Sequence, residues 1–285
     1  MKEHRSEFSV EKMAALLGIS KSGFYEWFDR PQSSRAIQRV RFDAEVKAIF
    51  DQSAGTYGSK RIIQELVKKG YGRNRKRVAE SMVRQGLVSK VHKKFKVCTT
   101  DSRHSYKVAP NIVDRNFTES KANQVWVTDI TYLPTRNGWL YLTVFIDLFS
   151  RFVVGWALST SLSHEAVLTA LQRGIWRRKP ADGLIIHSDR GVQFCCEEFK
   201  KVLKDHHFIQ SMSRKGNCWD NAVAESFFKT LKMEAVYHID LLDEHQAQHV
   251  LFDYIEGFYN CRRLHSTLGY LSPAEFEVAK RAKCA

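Results

Sequence analysis

Three carboxylates stand in this chain at places where an ionised group needs a reason. Asp129 interrupts Trp126-Val127-Thr128-Asp129-Ile130-Thr131-Tyr132-Leu133, whose other members suit a buried strand. A charge among such neighbours is costly unless it is paired or metal-bound. Asp189 follows the run Leu184-Ile185-Ile186-His187-Ser188, at the C-terminal end of a short strand pattern, where ligands gather in open α/β sheets. Glu225 lies on a helix pattern after Gly216-Asn217, with 35 residues between it and Asp189. Brought together, the three would repel one another. Mg2+ or Mn2+ resolves that repulsion because hard cations take oxygen ligands, and two such ions can activate an attacking oxygen and stabilise a leaving oxygen in phosphoryl transfer. Each residue taken singly also has an ordinary reading: a hydrogen-bonded buried Asp, the first residue of an Asp-Arg-Gly turn, a helix-surface acid. Lys229 and Lys232 share the helix face of Glu225 at i+4 and i+7, where they either pair with it or reach DNA phosphates. Asp147, Asp205 and Asp220 read instead as a strand-closing residue, the end of a charged helix and an N-cap before Asn221.

The segments that must position these groups follow from periodicity. Residues 124–133 and 139–149 are rich in Val, Ile, Thr, Tyr and Trp and flank Asn137-Gly138, which predicts a β-hairpin. A third strand is expected over 152–158, then a helix over 164–177, a strand over 183–187, a helix over 197–205, a strand over 208–212 and a helix over 221–234. Three meandering strands followed by alternating helix and strand imply a mixed α/β sheet covered by helices.

The front of the chain differs. Residues 1–100 hold 22 Lys+Arg against 10 Asp+Glu, and residues 101–285 hold 23 against 21, so the net charge of +14 is concentrated in the first third. In residues 8–28, Ser9 and Ser20 can cap two short helices around Gly18, with Met13, Leu16 and Leu17 as the apolar positions of the first: a helix-turn-helix pattern. A second such unit carries Ile62, Ile63 and Leu66, a turn at Gly70 to Gly72, and a basic helix whose Val78, Met82 and Val83 form its packing side. Lys60, Arg61, Arg73, Arg75, Lys76 and Arg77 are its candidates for DNA contact. Expected boundaries are 1–52 and 53–95 for the two helical units, 96–119 for a basic polar linker and 120–280 for the catalytic core with a helical extension. The six cysteines show no CxxC pair and read as reduced thiols. His245 and His249 have the i, i+4 spacing of a zinc helix, but Gln246 stands where that chemistry needs Glu. Both read as helix surface. No signal peptide or long apolar span appears, so a cytoplasmic protein is expected.

WVTDITYLPTRNGWLYL, DLFSRFVVGW, HSDRGVQF, SMSRKGNCWDNAVAESFFKTLK and YNCRRLHSTLGYLSP together resemble the integrase-type catalytic core of the transposases of the IS3 family of bacterial insertion sequences, the product of the second of their two reading frames. LGISKSGFYEW and TYGSKRIIQEL resemble the N-terminal helical regions of the same proteins. The resemblance implies an RNase H-like fold, a DDE triad carried onto Asp129, Asp189 and Glu225, dependence on Mg2+, double-stranded DNA as partner with a homo-oligomer in the DNA complex, and an upstream-frame protein that is often fused by frameshifting. Unlike retroviral integrases, the chain offers no His/His/Cys/Cys zinc pattern near its N-terminus.

Overall fold

The computed structural model describes residues 1–90, 109–113, 121–214 and 221–282. Most of the expected linker at 96–119 lies outside them, as do Asp220, Cys98, Cys218 and Cys284. Helices α1 (Val10–Leu17) and α2 (Lys21–Phe28) start where the sequence places them, because the Ser9 and Ser20 hydroxyls accept from the Lys12 and Gly23 N–H groups. Gly18 ends α1 in the left-handed region. Leu16 and Leu17, expected to pack inward, are instead 88% and 60% exposed, and Ala14 is the residue α1 buries.

Helices α3 (Ser34–Gln52), α4 (Ser59–Lys68) and α5 (Arg75–Arg84) form one packed unit. Phe42, Val46 and Ile49 of α3 share a core with Ile62, Ile63 and Leu66 of α4 and Val78 and Met82 of α5. The boundary expected at residue 52 therefore falls inside this unit, since the apolar face of α3 is one of its walls. Val83, read as a packing residue, is 80% exposed.

The second half is a five-stranded sheet in the order β3-β2-β1-β4-β5, with β1 (Val125–Thr135), β2 (Gly138–Asp147), β3 (Val153–Ser159), β4 (Ile185–Ser188) and β5 (Ile209–Met212). β1 and β2 pair antiparallel through a two-residue turn at Arg136-Asn137, one residue earlier than the expected Asn137-Gly138, with Gly138 paired to Thr135 as the first residue of β2, while β1, β4 and β5 run parallel. Alternation splits the sheet into two faces. Val125, Val127 and Leu133 pack with Phe227 and Leu231 of α9 (Ala222–Glu234). Trp126 and Ile130 pack with Val167 and Leu171 of α6 (His164–Arg178) and Phe199 of α8 (Glu197–Asp205). A one-turn helix, α7 (Val192–Cys195), buries Phe194 beneath this second face.

After α9 the chain passes through α10 (Glu244–Phe252), a π-helical turn at Asp253–Tyr259 and α11 (Pro273–Arg281). The Asn260 side chain both donates to and accepts from the Val153 backbone, at 3.1 and 2.9 Å, acting as a short edge partner for β3. The Arg178 guanidinium grips the Glu277 carboxylate and lies over the Phe152 ring. This extension also receives the α3–α5 unit: Leu264 enters that unit's core, and the Tyr57 hydroxyl donates to the Arg262 carbonyl and accepts from the Leu264 N–H. Among the described residues no helix is long and apolar enough to cross a membrane.

β3 and α6 approach so closely that Gly155 has no room for a side chain: a Cβ there would lie 2.1 Å from the Ala170 carbonyl oxygen and 2.8 Å from the Gly174 nitrogen. Both obstacles are backbone and neither can rotate away. Gly155→Ala is expected to cost about 3 kcal/mol or more in a urea melt, at the upper end for overpacking; a melting temperature within about 2 °C of the parent would contradict this packing.

Candidate active site

The parallel register between β1 and β4 ends at Val127↔His187. Asp129 and Asp189 each lie two residues further on, Asp129 still within β1 and paired with Val144 of β2, Asp189 just past the carboxyl end of β4. Asp129 has the same parity as Val125 and Val127 and faces the α9 side of the sheet. Its Oδ1 accepts from the Ile130 N–H at 2.8 Å. Asp189 opens a tight turn in which its Oδ1 accepts from the Gly191 N–H at 2.9 Å. That turn is pinned from β5, because the Ser213 N–H donates to the Ser188 carbonyl and the Arg190 guanidinium donates back to the Ser213 carbonyl.

Glu225 comes from the first turn of α9, where a negative charge is favoured by the helix dipole. It is exposed, as is Lys229, while Lys232 is half-buried. The Asp129 carboxyl is pushed well above the ordinary carboxylate range, first by burial and then by the Asp189 charge, with Glu225 adding to the rise; the Ile130 N–H and Lys232 oppose it. Although Glu225 as a residue is exposed, partial desolvation of its carboxyl on the side of the site raises it as well. Burial lowers the Lys232 amine, which Asp129 partly restores. Asp129, Asp189, Glu225 and Lys232 thus share one electrostatic neighbourhood.

The donor set suits a hard divalent cation: three carboxylates whose mutual repulsion a cation would relieve. Among the described residues no three His, Cys, Asp or Glu side chains close on a single point, so the carboxylates are neighbours without being fully converged. Glu225 is the exposed one of the three, in the first turn of its helix.

The other acids separate cleanly. Asp147 is fully buried and accepts from the Asn123 and Phe149 N–H groups at 2.7 and 2.8 Å, with Arg178 at 3.7 Å. It ties off the β2 end. Asp205 ends α8 on the surface. The N-cap position of α9, expected at Asp220, is held by Asn221. Asn221 is buried and donates from Nδ2 to the Thr128 carbonyl at 3.2 Å, next to Asp129. Sequence reasoning passed over it, although it precedes Glu225 by one helical turn. His245 and His249 lie on the exposed side of α10, with their Nε2 atoms 3.3 Å apart.

The candidate DNA contacts divide. Lys60, Arg73, Arg75, Lys76 and Arg77 are exposed, and Arg77 stacks on the Phe42 ring at 4.1 Å. Lys76 and Arg77 line a cleft of about 700 Å³ between α3 and α5 together with Arg35, Arg39, Arg84 and Asn74. Arg61 is turned inward: it donates to the Leu264 carbonyl at 3.1 Å, lies over the Tyr57 ring and comes within 3.9 Å of the buried Glu234 of α9. Its guanidinium joins the helical unit to the C-terminal extension.

Comparison with known proteins agrees with both halves of this picture. Residues 38–95 match an HTH-like domain family, and residues 119–218 and 225–280 match two integrase core domain families. Transposase InsF for insertion sequence IS3A of Escherichia coli is 41% identical over 279 residues, covering 97% of this chain and 96% of that protein. The insertion element IS600 uncharacterized 31 kDa protein of Shigella sonnei is 39% identical, covering 93% of this chain and 97% of that protein. Among solved structures, the HTLV-2 integrase catalytic core domain in complex with magnesium is similar over 54% of this chain and 96% of that one, at 17% identity and a TM-score of 0.42. With an HTH-like region in front of an integrase core, and a relative of this identity along nearly its whole length, the chain belongs to the IS3 family of insertion-sequence transposases, DDE polynucleotidyl transferases that carry out DNA transposition.

Proposed function

We propose that Asp129, Asp189 and Glu225 are the catalytic carboxylates of this transposase and hold Mg2+, with two ions per site and Mn2+ able to substitute. The observation that carries this reading is the placement of Asp129 within β1 and Asp189 just past the end of β4, each two residues beyond the last rung between those strands, with the Asp129 carboxyl raised by burial and then by its neighbour's charge. The bound ions supply activation of an attacking oxygen and stabilisation of the departing one. The chain's own part is to fix the two strand carboxylates through the β1–β4–β5 ladder, to bring Glu225 across on α9, and to offer Lys229 and Lys232 to the phosphates beside the reacting end.

The substrate is double-stranded DNA at the ends of the element, followed by target DNA. Lys60, Arg73, Arg75, Lys76 and Arg77 bind it from the α4–α5 region, whose exposed basic face supports phosphate contact. The enzyme acts in the bacterial cytoplasm as an oligomer on DNA, together with the upstream-frame protein, either separate or fused by frameshifting.

Labelled duplexes from the DNA flanking its own gene provide the test. With Mg2+ the parent is expected to cut and join them, whereas Asp129→Asn, Asp189→Asn and Glu225→Gln each lose joining by about 100-fold or more and keep DNA binding. Cutting without joining would make the chain a nuclease, and binding with neither would make it a DNA-binding regulator. Parent-like joining by any one variant removes that residue from the site.

Lys229→Ala and Lys232→Ala are each expected to reduce joining and to lower the salt slope of DNA binding by about one unit. For the exposed Lys229 a surface role predicts only the loss of an exposed pair, worth about 0.3 to 0.5 kcal/mol. Unchanged joining by both variants would take the DNA path off this helix.

A further inference from the structure

The β1–β4 ladder stops short of the carboxylates, and something else fills the next rung. The Gln124 carbonyl accepts from the Ile185 N–H and the Val125 carbonyl from the Leu148 N–H, each at 3.0 Å. Even-numbered residues of β1 therefore turn their backbone groups towards β4, and odd-numbered ones away from it. With the register ending at Val127↔His187, the next even-numbered carbonyl is that of Thr128. A β4 partner for it would come from residue 189, where the chain already bends into the Asp189–Gly191 turn. A buried carbonyl left bare there would cost about 1 to 3 kcal/mol.

Asn221 supplies the missing donor. Its Nδ2 reaches the Thr128 carbonyl at 3.2 Å, and the residue is 4% exposed. Asn is among the best N-cap residues because its side chain can accept from the helix's own N–H groups. Asn221 occupies the N-cap position of α9 and makes no such bond. Its amide is committed to the sheet instead of to its own helix. The carbonyl it holds belongs to the peptide that joins Thr128 to Asp129, and Glu225 follows it by one turn on the same helix face.

We propose that Asn221 is the positioning residue of the site: it replaces the rung that β4 cannot supply, fastens the first turn of α9 to β1, and so sets how far Glu225 stands from the Asp129–Asp189 pair. This rests on the assignment of those three carboxylates as metal ligands. Asn221 touches neither ion nor DNA in this role. It acts through the strand that carries one ligand and the helix that carries another, as outer partners of metal ligands do.

The experiment is a Mn2+ titration of the full-length chain without DNA, following unbound Mn2+ by electron paramagnetic resonance, alongside melting in the absence of metal. Asn221→Ala removes the amide. Asn221→Ser keeps a good helix N-cap but is too short to reach the Thr128 carbonyl, so it preserves the start of α9 and carries the test should the Ala variant fold poorly. Both are expected to weaken Mn2+ binding about 10-fold or more, with the Ser variant melting closer to the parent. Parent-like Mn2+ affinity in the Ser variant, whatever its melting temperature, would overturn the proposal and leave Asn221 a packing residue. Asp129→Asn is titrated in parallel. If that variant also binds Mn2+ like the parent, the carboxylate assignment itself fails and the Asn221 proposal with it; if it loses binding while both Asn221 variants keep theirs, the proposal alone fails.

Discussion

Two carboxylates just beyond the last rung between adjacent parallel strands, Asp129 within β1 and Asp189 past the end of β4, repel each other, and much of the architecture serves to hold them there. Asp129 and Asp189 sit where the β1–β4 pairing ends, a place at which backbone geometry brings residues of the two chain segments next to each other. The rise of the Asp129 carboxyl records both burial and that repulsion. A lone carboxylate in such a spot would simply take a proton. Two beside a third form a donor set that a divalent cation would relieve of its repulsion, which is the basis of the proposed metal site.

The helix that brings the third carboxylate is braced at both ends. Asn221 anchors its start to β1. Glu234, at its last turn, is buried and accepts two bonds from Arg263 and one from the Tyr254 hydroxyl, at 2.7 to 2.8 Å, with Arg61 of the α3–α5 unit at 3.9 Å. Burial among Arg263, Arg61 and Arg151 pushes the neighbouring His265 imidazole down to about 3, which keeps it uncharged beside these cations. A buried ion pair of this kind contributes little net stability, but breaking it is costly, so it holds α9, the C-terminal extension and the helical unit in one arrangement. The DNA-binding region is thus fastened to the catalytic core through the far end of the chain.

The parts that were legible in the sequence are those written in local chemistry. Ser9, Ser20 and Gly18 mark helix ends by their own hydrogen bonds and backbone freedom, Asn137-Gly138 marks a hairpin, and Asp129 stands out as the acid in an apolar strand. Periodicity named some apolar positions that pack, such as Ile62, Ile63, Leu66, Val78 and Met82, and others that do not: Leu16, Leu17 and Val83 keep the spacing of packing residues and still face outward. Partners distant in the chain were invisible. Asn221 bonds a carbonyl 93 residues away and Arg61 one 203 residues away, and no local pattern distinguishes that Asn from an ordinary cap or that Arg from a DNA contact. The short α7 is four residues long, too brief for any period to show.

Whether the strand pair and Glu225 form one metal site is tested by anomalous diffraction from crystals of the full chain soaked in Mn2+, without any DNA substrate. The expected result is an anomalous peak within bonding distance of carboxylate oxygens of both Asp129 and Asp189, with Glu225 turned in from α9 to complete the coordination. Mn2+ bound elsewhere in the molecule, with no peak between these two aspartates at a concentration that supports strand transfer, would contradict it.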